Sequence, residues 1–212
     1  MRPRRAVMWQ NLQRAGFLHV NAFARHTPAL HAPMSFYARY GVVLFAALLV
    51  LGWWSARRDR DPRAMAAAIW APAGALLALG LNQPLGNLVH EARPYAVLPH
   101  VLVLVSHSHD FSFPSDHAVM AGAVATGVLL THRRLGWFTI AAAALLAFAR
   151  VYVGAHFPLD VIVGLLVGAA VSLIGYATLR HLLVRIVTAL SRTAARPIVA
   201  SCPIATGHGK PA

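Results

Sequence analysis

Arg150, His156 and Asp160 have the types and spacing of a nucleophile cluster. They lie in A-R-V-Y-V-G-A-H-F-P-L-D, where one long apolar segment ends and another begins. Pro158 suits the first turn of a helix, which places Asp160 inside that turn with its carboxylate in reach of His156. A carboxylate on one ring nitrogen fixes the tautomer and leaves the other nitrogen able to attack. Arg150 offers a planar fork of donors that matches phosphate oxygens and stays charged at any relevant pH. The chemistry this combination fits is phosphoryl transfer through a histidine. In isolation a His near an Asp is more often structural. At the edge of a membrane span, where ionisable groups are expensive, function is the default reading.

Two further stretches supply what such a nucleophile needs. Phe113-Pro114-Ser115-Asp116-His117-Ala118 leads directly into an apolar helix. Pro and Ser are helix-start residues, and the free N–H groups of a helix start form a ready anion site. Ser115 adds a hydroxyl donor, and His117 sits in the first turn, where it can give or take a proton. Asp116 is grouped with this phosphate-binding stretch, although its charge also simply suits a helix N-terminus. The bland alternative is an ordinary capped helix with an incidental His. Arg93-Pro94 offers a second guanidinium at another span edge; by itself it reads as a snorkelling arginine. Glu91 is read as pairing with Arg93 or contacting a neighbouring loop.

The elements that must position these residues follow from composition. The chain has 212 residues, enough for one domain, and is 58% hydrophobic, too apolar for an ordinary soluble fold. Apolar segments of crossing length run from about 34 to 54, 64 to 89, 114 to 131, 135 to 153 and 159 to 179. The expectation is an all-α integral membrane bundle of five spans, or six if the N-terminal tail hides another. Pro72 and Pro84 are expected to kink the second span. Residues 96–105 cover half a crossing and read as a surface or re-entrant segment. Residues 1–33 form a basic interfacial or tail segment, with 7–24 at helical spacing. Residues 34–179 form the membrane domain and 180–212 a basic C-terminal tail. The basic start is followed by no h-region or cleavage site, so no removable signal peptide is expected.

The net charge of +13 does not point to nucleic acid, because the basic residues cluster between apolar segments instead of alternating with aromatics on a polar face. Such clusters record membrane topology. With five crossings, Arg57 to Arg63, Arg133 with Arg134, and Arg180 with Arg185 emerge on one face, which is then cytoplasmic. His90 to Tyr95, Ser106 to His117 and Arg150 to Asp160 all emerge on the other. The six acids sharpen this: Asp59 and Asp61 lie in an Arg-rich loop, whereas Glu91, Asp110, Asp116 and Asp160 fall near the three motifs. Cys202 is the only cysteine, so no intrachain disulfide and no Cys-based metal site is possible. His90, His100, His107 and His109 share the outer face, but no extra carboxylate or thiolate ligands accompany them. No metal and no cofactor are expected.

Arg93-Pro94, Pro114-Ser115-Asp116-His117 and Arg150-x5-His156-x3-Asp160 resemble the three signature motifs of the type 2 phosphatidic acid phosphatase superfamily. The resemblance spans about residues 34–179 and agrees in order, spacing and membrane side. It implies His156 as nucleophile oriented by Asp160, His117 as proton donor, and Arg93, Ser115 and Arg150 as phosphate ligands. Three positions depart from the general pattern: Gly86 stands where it has Lys, Asp116 where it has Gly, and Ala149 where it usually has Ser. Pro-Ser-Asp-His, the Glu two residues before Arg-Pro and R-V-Y-V-G-A-H-F-P-L-D-V are similar to bacitracin-resistance-type undecaprenyl-diphosphate phosphatases of bacteria, a short, five-span subgroup that tends to lack the Lys. That resemblance implies a polyprenyl phosphate substrate handled at the outer side of the cytoplasmic membrane. The nearest alternative is a glycerolipid phosphate substrate, phosphatidate or phosphatidylglycerol phosphate. A haloperoxidase would be soluble and larger. A non-catalytic lipid-binding or transport protein would place polar residues inside the spans instead of at one edge.

Overall fold

The computed structural model describes residues 3–59, 61–108 and 110–200; His109, Cys202 and the end of the C-terminal tail lie outside the described residues. All regular structure among those residues is helical. Helix α1 covers Pro3–His26, and a short 3₁₀ turn, Pro28–Leu30, leads into α2, His31–Asp59. Then come α3 (Pro62–Val89), α4 (Pro94–Val97), α5 (Asp116–Thr131), α6 (Arg133–Tyr152), α7 (Pro158–Leu190) and α8 (Arg196–Val199).

Helices α2, α3, α6 and α7 are each long and apolar enough to cross a bilayer. Helix α5 is equally apolar but only 16 residues long, about 24 Å at 1.5 Å per residue, somewhat less than the hydrocarbon thickness of about 30 Å. It is also the most enclosed helix, packed against α7, α3 and α6. The expected bundle of five apolar helices is therefore present, with its shortest member in the middle.

Small residues let α5 and α7 approach closely. A side chain at Gly168 would put its Cβ 1.9 Å from the Val119 carbonyl oxygen, and one at Gly122 would put it 2.2 Å from that of Leu165. Between membrane helices such backbone proximity replaces the hydrophobic drive that lipid removes. Val119, Val124 and Val128 of α5 complete this core with Phe45, Leu48 and Leu146 from α2 and α6.

Helix boundaries follow local chemistry. Asp61 caps α3 by accepting from Arg63 N (2.9 Å), with Pro62 at the first position. The helix runs through Pro72 and Pro84 without interruption and ends at His90, whose φ of 55° turns the chain out. His132 caps α6 through its ring, accepting from Leu135 N at 3.2 Å.

Helix α1 is not among the helices long and apolar enough to cross a bilayer. Its contacts all fall at one end of the bundle: Phe17 meets Phe157 edge-on at 5.5 Å, Asn21 bonds both backbone groups of Leu102 (2.8 and 3.0 Å), and Thr27 bonds Tyr152 Oη at 2.9 Å. It lies across the loops there. Residues 98–105 run beside it without helix after α4, tied to the end of α6 by Leu104 N donating to Val153 O (3.0 Å). Gly154, at φ 82°, permits this: a Cβ would sit 2.6 Å from the Leu102 carbonyl oxygen. At the other end, α7 continues past Leu179 to Leu190, where Val187 and Val199 pack with Ala56 and Met65. The apolar spacing of Leu183, Val187 and Leu190 explains that extension.

Candidate active site

The C-terminal ends of α3 and α6 and the N-terminal ends of α2, α5 and α7 meet at the end of the bundle that α1 covers. A cavity of about 530 Å³ opens there. Its floor includes Arg93, Arg150, His156, His117 and Asp116, and its wall Asp110, Ser108 and the first turns of α2.

His156 is buried in the turn between α6 and α7, and each ring nitrogen has a distinct environment. Nδ1 lies 2.8 Å from the Ser112 carbonyl oxygen, an acceptor only, so this nitrogen carries the proton. Nε2 is then the lone-pair side. It faces Arg150 Nη2 at 3.2 Å and Arg93 Nη1 at 3.4 Å. Burial, followed by the charges of Arg150 and Arg93, pushes the His156 pKa well below the ordinary imidazole value. That environment favours the neutral ring.

Asp160 is where the structure refines the sequence reading. Its Oδ2 is 3.6 Å from His156 Nδ1, near enough for attraction but beyond a hydrogen bond. That oxygen accepts instead from Ser112 Oγ and from Phe157 N (2.8 Å), at the start of α7. The carboxylate therefore holds the two loop segments that hold the ring, and Ser112 mediates between them.

The two arginines are anchored differently. Arg93 donates to the Asp110 and Ala155 carbonyls (3.2 and 3.1 Å) and pairs with the Asp110 carboxylate at 3.2 Å. Partial burial alone would raise the Asp110 pKa; the Ser108 hydrogen bond and the Arg93 charge outweigh it and hold the carboxyl below its usual range. Arg150, equally buried, reaches only the Ala38 carbonyl (3.4 Å) besides His156 and pairs with no carboxylate among the described residues. A buried guanidinium without a counter-charge is costly, and an anion seated at Nε2 offsets that cost.

The second motif divides into parts. The amides of Asp116, His117 and Ala118 precede the first bond of α5, Val119 N to Ser115 O (2.9 Å), and so are available to an anion. His117 lines the cavity and makes no hydrogen bond to another described residue. Asp116 lines it too, but its Oδ1 accepts from Asn82 (2.7 Å) and Gln83 (3.3 Å), tying α5 to α3. Ser115 is wholly buried and does not line the cavity; its N–H donates to Asp160 O (3.1 Å), and its hydroxyl has no partner among the described residues. Glu91 forms no ion pair with Arg93, but its carbonyl accepts from Ser112 N in the neighbouring loop at 2.8 Å. Its side chain accepts from Gln13 of α1 at 2.6 Å.

All seven residues singled out in the sequence gather at this end, five of them lining the cavity and Asp160 and Ser115 buried behind it. Sequence reasoning gave no role to Ser112, Asp110 or Asn82. Proximity to the motifs was the only sign for Asp110, and nothing distinguishes Ser112 from Ser106 or Ser108 in spacing. Among the described residues no group of three or more His, Cys, Asp or Glu is gathered as for a metal. His90 packs on Phe111 (4.6 Å) and His107 on Tyr95 (4.5 Å).

Comparison with known proteins places the chain in a family. The family model described as the PAP2 superfamily matches residues 67–183. The chain is 31% identical over 162 residues to the bacitracin transport permease protein BcrC of Bacillus licheniformis, covering 76% of this chain and 78% of that one. It is 31% identical over 151 residues to the undecaprenyl-diphosphatase BcrC of Bacillus subtilis (strain 168), covering 71% and 76%. Among solved structures, the transmembrane PAP2-type phosphatidylglycerolphosphate phosphatase of Bacillus subtilis has the same fold, with a TM-score of 0.64 at 21% identity over 81% of this chain and 86% of that one.

Proposed function

Because the chain belongs to the PAP2 superfamily, we propose that the lipid phosphate it hydrolyses is undecaprenyl diphosphate, released as undecaprenyl phosphate and inorganic phosphate. It is a multi-pass membrane protein and a lipid phosphatase. The observation that carries the catalytic reading is the placement of His156, whose Nδ1 meets the Ser112 carbonyl and whose Nε2 meets two guanidiniums, one of them Arg150, which pairs with no carboxylate among the described residues. The substrate reading is supported by the likeness to the Bacillus subtilis undecaprenyl-diphosphatase and by Glu91, Asp116 and the motif-three run.

The geometry supports the following steps. Arg93, Arg150 and the first amides of α5 hold the terminal phosphate, with the buried Ser115 hydroxyl the remaining donor of that helix start. Their positive charge offsets charge on the equatorial oxygens as the transition state forms. The Nε2 lone pair attacks phosphorus while the bond to the bridging oxygen breaks, and His117 protonates the leaving lipid phosphate. The ring now carries phosphate on Nε2, and its Nδ1–H still donates to Ser112 O. Water then attacks the phosphohistidine, with His117 accepting its proton. Inorganic phosphate leaves and Nε2 is free again.

The test is phosphate release by purified protein across a panel: undecaprenyl diphosphate, phosphatidate and phosphatidylglycerol phosphate, each beside the His156→Ala protein. The proposal expects the highest kcat/KM on the polyprenyl diphosphate and none above background for the variant. A preference for a glycerolipid would replace the substrate. Lipid binding without turnover, as for a transport or carrier role, would replace the activity.

A further inference from the structure

The cavity has a wall that none of the three motifs supplies. Helix α2 contributes Ser35, Phe36, Arg39 and Tyr40 to its lining. Ser35 and Arg39 are four residues apart and so stack on one helix face; Phe36 and Tyr40 stack on the adjacent one. The aromatic pair, with ring centroids 5.0 Å apart, is 66% and 47% exposed. Helix α2 spans the membrane, so that surface faces lipid.

Charge in the cavity is unevenly committed. Of its carboxylates, Asp110 is taken by Arg93 and Ser108, and Asp116 by Asn82 and Gln83. Of its guanidiniums, Arg93 and Arg150 both converge on His156 Nε2. Arg39 is the third guanidinium in the lining, and among the described residues it forms no ion pair and no hydrogen bond; it lies 5.4 Å from the Tyr40 ring centroid. A single phosphate at Nε2 uses the two inner arginines. A diphosphate carries further charge on its inner phosphate, which lies between the reacting phosphorus and the apolar tail. The α2 wall offers the matching sequence of groups: a cation and a hydroxyl at the cavity, then aromatics toward lipid.

We propose that Arg39, with Ser35, forms a second anion subsite that takes the non-reacting phosphate of a lipid diphosphate, while Phe36 and Tyr40 guide its chain out to the bilayer. This rests on the placement of the terminal phosphate at His156. It makes α2 the determinant of diphosphate over monophosphate specificity, and it assigns to Arg39 a role that no part of the three motifs carries.

The experiment compares wild-type protein, Arg39→Gln, Arg39→Lys and a remote control, Arg133→Gln, on a polyprenyl diphosphate and the matching monophosphate in one detergent. The expected result is a fall of about tenfold or more in the diphosphate-to-monophosphate ratio of kcat/KM for Arg39→Gln, the size of one lost charge-assisted contact. Arg39→Lys should recover part of it, and Arg133→Gln should leave the ratio alone. A second arm measures inhibition by inorganic pyrophosphate and by inorganic phosphate, which needs no lipid preference. Arg39→Gln should weaken pyrophosphate inhibition selectively. An unchanged substrate ratio, or equal weakening of both inhibitors, would overturn the subsite. If wild-type protein prefers glycerolipid monophosphates, the substrate reading fails, and the inhibitor arm still decides whether Arg39 binds a second phosphate.

Discussion

His156 is held through one nitrogen and charged from around the other. The Ser112 carbonyl fixes Nδ1–H, while Arg93 and Arg150 crowd Nε2 with positive charge. That polarity has a consequence for pH. A depressed imidazole pKa keeps the ring unprotonated, and therefore nucleophilic, as pH falls through 6.5. The acid limb of kcat/KM that belongs to His156 should lie below the ordinary imidazole range. Replacing Arg150 by Gln removes one of the depressing charges, so the limb of its residual activity should move upward; pH profiles of both proteins on one substrate check the direction. Ser112 carries a second prediction. Its hydroxyl ties Asp160 to the segment whose carbonyl orients His156. Hydrogen bonds to charged groups are worth about 1.5–3 kcal/mol, so Ser112→Ala should lower kcat about tenfold or more while KM moves little. Side-chain type and spacing sufficed to single out Arg93, His117, Arg150, His156 and Asp160, because each belongs to a run with local helix-start or span-edge logic. Ser112 and Asp110 carry no such local mark. Their partners lie 48 and 17 residues away in sequence, and only the assembled fold brings them into contact.

The helices hold this geometry through close backbone contact. Ser115 N donates to Asp160 O at 3.1 Å, joining the starts of α5 and α7. Below that join the two helices touch at Gly122, Gly164 and Gly168. Gly168→Val would drive a side chain into the Val119 carbonyl and push α7 from α5. Overpacking of this kind costs about 1–3 kcal/mol, so the variant should lose thermal stability in detergent and lose activity with it, whereas a change at the open Gly80, where no atom lies within 4 Å, should do neither. Apart from the C-terminal end of α7, the five apolar helices were legible from hydropathy to within a few residues, since lipid demands continuous apolar runs. The path of α1 was not. Its apolar residues gave the helix, but its docking depends on single polar contacts, Gln13 with Glu91 and Asn21 with Leu102, that no periodicity encodes. The extension of α7 to Leu190 was obscured in the same way, by arginines interleaved with its apolar face.

Across the whole molecule, the loops opposite the cavity are rich in arginine. The cavity lies at one end; Arg57, Arg58, Arg63, Arg133, Arg134 and Arg180 lie toward the other, where Arg58 sits 5.2 Å from the Trp54 ring centroid. By the positive-inside rule we propose that the arginine end is cytoplasmic and the cavity faces outward. In a Cys202→Ser background, Ser106→Cys at the cavity mouth should react with a membrane-impermeant maleimide on intact cells, and Arg58→Cys should react only after permeabilisation; the reverse pattern would invert the topology. The account as a whole turns on one atom, Nε2 of His156. It is tested most directly by quenching the wild-type enzyme during turnover of undecaprenyl diphosphate labelled on its terminal phosphate and mapping the label. The predicted result is an acid-labile, alkali-stable phosphoenzyme on His156, absent from the His156→Ala protein. Label on another residue, or phosphate release by His156→Ala at the wild-type rate, would contradict it.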